Sequence, residues 1–220
     1  MANELDEITG PVNEEGRDIN VIEKQIKVKT GVGSIIFEVV LWVLGIIPGL
    51  IFLAMKVSAQ KYLSGLQQKI QHDASQIDNY LEQRVVILEN VAGLLNKSID
   101  LDKTTFTAIA EARSGVSKAE SLTDRAAKIE DINTKINFAM EAYPELKSQA
   151  QIANAMQQNS YLQREITAAR EVYNDTVLEW NQAIFAWPTK MIVAAKKGYT
   201  TRIPFTASRA TKDRARASFF

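Results

Sequence analysis

The sequence predicts an all-α protein: a single N-terminal transmembrane helix followed by an elongated antiparallel three- to four-helix bundle with coiled-coil-like packing. Three observations lead there. Ser34 to Met55 is an unbroken apolar run with one charge, Glu38. Between Lys56 and Tyr143 there is no proline, and Ala, Gln, Lys, Glu and Leu dominate, residues that enter helices at little cost. Apolar residues then recur at spacings of three and four, while strand-like alternation and hairpin dipeptides are missing.

The chain divides into four stretches. Residues 1–33 form an acidic arm. Residues 34–55 form the apolar run, which at ~1.5 Å per residue reaches about 33 Å, against a hydrocarbon core of ~30 Å. A core helix of that length would carry a polar stripe, so the run reads as a transmembrane helix. Pro48 and Gly49 are expected to kink it. Glu38, one turn inside its start, is expected to snorkel to the interface or to face a partner helix. The run follows an acidic arm rather than a short basic one, so it reads as a retained anchor and not as a cleaved signal.

Residues 56–198 hold the helical domain. Its first stripe runs Leu63, Leu66, Ile70, Ala74, Ile77, Leu81, Arg84, Leu88, Val91, Leu95, and should end near Asn96-Lys97-Ser98. A second stripe is Phe106, Ile109, Arg113, Val116, and a third is Ile129, Ile132, Ile136, Ala139, Tyr143. Pro144 can open a further helix. The longest stripe is Ile152, Met156, Asn159, Gln163, Ile166, Arg170, Tyr173, Val177, Trp180, Ile184, Trp187, interrupted at Pro188 and closed by Gly198. Residues 199–220 are a basic tail with interleaved phenylalanines, a composition suited to anionic headgroups.

Arg84, Arg113 and Arg170 each stand in an apolar stripe, where an arginine is costly unless paired. Asp78, Glu111, Glu141, Glu165 and Asp175 are candidate partners in a register-fixing network, with a binding groove or guanidinia snorkelling at the bundle edge as alternatives. Asn174 and Asn181, seven apart, form with Arg170 a polar line beside the Tyr173–Trp180 seam. Hydrogen bonding of these asparagines to backbone groups is the expectation, and a partner-binding ridge is the alternative.

Composition removes several function classes. Lys+Arg and Asp+Glu both number 26, so no nucleic acid is expected as partner. There is no cysteine and one histidine, His72, which excludes disulfides, thiol catalysis and two-histidine metal sites. His72 lies on a Gln-rich flank and reads as a solvated residue. No Walker loop, GxGxxG or HExxH occurs. No catalytic residue, metal or cofactor is therefore expected, and the chain is not read as an enzyme.

Several segments resemble the LemA family, single-span bacterial membrane proteins with a helical domain. Glu141-Ala142-Tyr143-Pro144-Glu145-Leu146-Lys147 is similar to the family's YP-[DE]-LK signature. Ala169-Arg170-Glu171-Val172-Tyr173-Asn174-Asp175-Thr176-Val177, then Trp180-Asn181-Gln182-Ala183-Ile184 and Pro188, resemble its last helix. Glu111-Ala112-Arg113 resembles the short motif of its second helix, and Gln83-Arg84 through Asn90 the motif of its first, departing at Val86 and Glu89. The resemblance implies an outside N-terminus and a cytoplasmic helical domain, the orientation that the basic excess of residues 190–216 also favours. One branch of the family is linked to magnetosome membrane formation. The resulting expectation is a membrane-anchored scaffold in the cell membrane, homo-oligomeric, that organises the lipid bilayer or recruits a membrane-protein partner. The alternative is a regulatory or adaptor subunit of a membrane protease or transporter.

Overall fold

The computed structural model describes residues 25–98, 122–147 and 149–205. They form six helices: α1 (Val32–Val43), α2 (Ile46–Ser98), α3 (Leu122–Ala142), α4 (Pro144–Lys147), α5 (Ala150–Ala183) and α6 (Thr189–Lys197). Among the described residues, extended pairing is limited to one antiparallel bridge, Lys27 with Thr200. Residues 1–24, the second stripe with Arg113, and the basic tail after Phe205 lie outside the described residues.

The apolar run expected as one helix over residues 34–55 is divided between α1 and α2. The break falls at Leu44 and Gly45, not at Pro48–Gly49. Gly45 has φ +137°, a backbone conformation open to glycine and strained for any residue with a Cβ. The Leu44 amide still donates to the Val40 carbonyl at 2.9 Å and the Gly45 amide to Trp42 at 3.3 Å, which ends α1 cleanly. Pro48 falls in the first turn of α2, where its missing N–H removes no helical bond, so it helps start a helix rather than kink one. Among the described residues α2 alone is long and apolar enough to cross a membrane. The 12 residues of α1 extend about 18 Å at ~1.5 Å each.

The described residues form two compact units, one from the Met1–His72 and Val172–Pro204 portions of the chain, the other from Asp73–Glu171 and Phe205–Phe220. In the first, Ala59, Leu63, Leu66 and Ile70 of α2 close a core with Val177, Trp180 and Ala183 of α5, Val193 and Ala194 of α6, and Val28. The chain between α5 and α6 passes through a cis Trp187–Pro188 bond. Gly198, with φ +69°, terminates α6 as expected, and the Tyr199 amide donates back to Ala194 at 2.9 Å.

In the second unit, Ile77, Leu81, Leu88, Val91 and Leu95 of α2 are buried, as are Ile129, Ile132 and Ile136 of α3 and Ile152, Leu162 and Ile166 of α5. These are the three-and-four spacings of the sequence turned inward. The third stripe departs at its end: Met140 is buried where Tyr143 is 43% exposed, because α3 stops at Ala142. The pairs Asp78–Arg125 and Arg84–Glu130 advance together along α2 and α3, so these two helices run in one direction.

Candidate functional site

Two constructions stand out, one in each unit. The first is the apolar hairpin of α1 and the start of α2. Trp42 rests on Gly49, where a Cβ would come within 2.6 Å of the indole. Phe37 meets Phe52 edge to face, ring centroids 5.6 Å apart. Lys56 Nζ lies 3.1 Å from Glu38 Oε1. The sequence separation of these pairs grows with distance from Gly45, which is the pattern of two antiparallel arms. The hairpin exposes most of its large side chains. At its turn Val43, Leu44, Ile46 and Ile47 are 71–81% exposed. Contiguous apolar surface of this extent is unusual on a protein face left to water.

The foot of the hairpin is built from polar and aromatic groups. Lys56 pairs with Glu38 and also lies over the Phe52 ring, so the single charge of the run is neutralised where the hairpin begins. Trp187 is 60% exposed and tilts against Phe37, centroids 5.2 Å apart. Below it, Tyr62 donates to Glu179 Oε1 at 2.7 Å and lies under Lys190 Nζ at 3.9 Å. That hydrogen bond, then burial, then the Glu179 charge push the Tyr62 phenol above its ordinary value.

The foot also holds both chain segments that flank the helices. The Val28 amide donates to the Tyr199 carbonyl at 3.2 Å and the Thr201 amide to the Ile26 carbonyl at 2.9 Å. The Ile26 amide donates to Thr201 Oγ1 at 2.7 Å. Residues 199–202 are in turn fixed to α5. Trp180 Nε1 donates to the Thr200 carbonyl at 3.0 Å, and the Asn181 side chain both donates to the Arg202 carbonyl (2.9 Å) and accepts from its amide (2.8 Å).

The second construction is a polar centre where α2, α3 and α5 meet. Arg84 is 2% exposed. Its Nε donates to Asn159 Oδ1 at 2.8 Å, Nη1 donates to Gln163, and Nη2 reaches Glu130 Oε2 at 2.9 Å. Asn159 donates to Asn133 Oδ1 at 2.9 Å, and Asn133 donates to Glu130 Oε1 at 3.3 Å, which closes the ring. Arg170 is half-buried nearby, with its guanidinium 4.3 Å from the Phe205 ring and its Nε unbonded. Burial, and then the charge of Arg84, hold Arg170 below the ordinary arginine value, with Glu130 acting against both. A cleft of about 300 Å³ opens beside the ring, lined by Asn133, Asn137, Met140, Met156, Asn159 and Ser160 among others. Such a network costs desolvation, and its donors and acceptors offset that cost by bonding one another across the three helices.

Arg84, which stands in an apolar stripe and has no carboxylate assigned to it by the sequence, is buried. Glu130 pairs with it, whereas Asp78 pairs with Arg125. Glu130 sits one residue off the stripe at Ile129, and α3's rotation brings it to the seam. Asn181 bonds backbone groups, as expected of it. Tyr173 is half-buried and its phenol is raised by burial, with Arg202 opposing. Asn174 is half-buried, while Asp175 and Asn90 are exposed. Tyr143 and Pro144 are exposed at the corner into α4, where only Leu146 turns inward. His72 is exposed. Asn133 and Asn137, four apart on α3, carried the signal of a polar cleft in their spacing. A sequence model of the LemA family matches residues 73–219, and the chain belongs to the LemA family. A comparison with curated proteins finds no match.

Proposed function

We propose that this member of the LemA family is a non-catalytic, membrane-anchored helical scaffold that self-assembles and organises membrane or recruits partner proteins. The observation that carries the reading is the exposed apolar surface between Val32 and Val57. Moving one such side chain from water into hydrocarbon gains about 1 kcal/mol or more, so the patch gains on the order of 10 kcal/mol as a whole. The cell membrane is the proposed location, with the helical domain on the cytoplasmic face that the basic residues 190–216 favour.

The helical domain is proposed as an antiparallel three- to four-helix bundle packed in coiled-coil fashion. Its support is the inward set of Ile77, Leu81, Ile132 and Ile166, and the Arg84 ring that joins α2, α3 and α5. The ring's donors and acceptors satisfy one another, which favours alignment of helices over chemistry on a substrate. Chemical crosslinking of the full chain in native membranes tests the scaffold. Products of several copies are expected. Monomers under all conditions would contradict self-assembly, and crosslinks to one different membrane protein would favour the adaptor role instead.

A further inference from the structure

The chain is anchored without crossing the bilayer: we infer that α1 and the start of α2 enter one leaflet as a re-entrant hairpin, so that Lys29 and Lys61 stay on the same side of the membrane. This rests on the membrane reading and names how the anchor sits; the occupant of the apolar surface is the acyl-chain layer of a single leaflet.

Length is the first argument. The 12 residues of α1 extend about 18 Å, short of a ~30 Å hydrocarbon core but close to the ~15 Å of one leaflet. The second is the turn. Gly45 at φ +137° and the missing Cβ of Gly49 under Trp42 let the two arms lie against each other, which a straight span does not require. At the turn the Leu44 and Gly45 amides bond within α1, and Pro48 has no N–H to satisfy. The third is the location of charge. Glu38 and Lys56 pair at the foot, and between Val39 and Met55 the chain carries no charged residue. Trp187 against Phe37 places an exposed indole at that foot, where interfacial tryptophans sit.

The decisive argument is connectivity. Ile26 and Val28 are hydrogen-bonded to Tyr199 and Thr201, and Val28 shares a core with Ala59 and Leu63. A spanning helix would carry residues 26–28 to the opposite face of the membrane from those partners. A hairpin returns the chain to the same face and keeps every one of these contacts.

The chain has no cysteine, so engineered thiols report alone. Lys29 and Lys61 are both exposed. The full chain carrying K29C and K61C is reconstituted into sealed vesicles of phosphatidylethanolamine and phosphatidylglycerol, floated, kept reduced, and treated with a membrane-impermeant maleimide. Intact mass then counts labels per chain. Whichever way each molecule inserted, the hairpin predicts chains with zero or two labels, and two on every chain after detergent is added. One label per floating chain would overturn the hairpin while leaving the anchor in place. A chain that fails to float would overturn the anchor and the hairpin together. The pair Q25C and Q60C, also exposed, repeats the count should K29C and K61C not fold.

Discussion

Replacing Glu130 by Gln keeps the shape of the polar centre and removes its anion. Arg84, with a side chain 3% exposed, then holds a charge with only neutral acceptors, and Arg170 adds a second cation nearby. Removing one partner of a fully buried ion pair costs about 3–5 kcal/mol. The Glu130 side chain is 36% exposed, so water screens part of the pair, and about 2–3 kcal/mol is the working value. With a slope near ~2 kcal/mol per molar urea, the unfolding midpoint should fall by about 1 M or more. The assay is loss of far-ultraviolet helicity in urea on the detergent-solubilised full chain. Asp131→Asn is the control, since its pair with Lys135 at 3.1 Å is exposed on both sides and should cost only about 0.3 kcal/mol. Adding Arg170→Leu to Glu130→Gln should recover part of the loss, because it removes the repelling charge. A Glu130→Gln protein that melts with the Asp131→Asn control would refute the reasoning.

Other expected outcomes concern the foot of the hairpin. The Tyr62 phenol is raised in the folded state by its bond to Glu179, so its contribution is present below about pH 10 and lost as pH rises through the raised folded value. Tyr62→Phe should therefore flatten the stability curve in that alkaline window, and an unchanged curve would speak against the bond. Asn181→Ala removes two hydrogen bonds to Arg202 and should cost about 2 kcal/mol, read as faster amide exchange at Arg202. Unaltered protection there would show that residues 199–202 are held by other contacts.

The stripes were legible because each buried position repeats the period of the helix that carries it. Leu63 through Leu95 needed no knowledge of a partner. Gly198 was legible for the same local reason, since a left-handed helix end asks for glycine. The division of the apolar run was not, because a stretch apolar on all sides has no face to betray a change of direction, and nothing in the sequence tells the glycine that turns the chain, Gly45, from the one that makes room for Trp42, Gly49. Glu130 could not be matched to Arg84 because partner choice depends on the rotation of α3 against α2. Trp187 continued the last stripe on paper, yet α5 stops at Ala183 and leaves it exposed against Phe37.

Partitioning after an alkaline carbonate wash bears most directly on the central claim. Membranes containing the full chain are stripped at high pH and floated through a density gradient, beside a variant with Val43→Lys and Ile47→Lys at the hairpin turn. The chain should rise with the lipid, and the two lysines, placed among residues more than 70% exposed, should release it to the aqueous fraction. An unsubstituted chain left behind in the aqueous fraction would contradict the account.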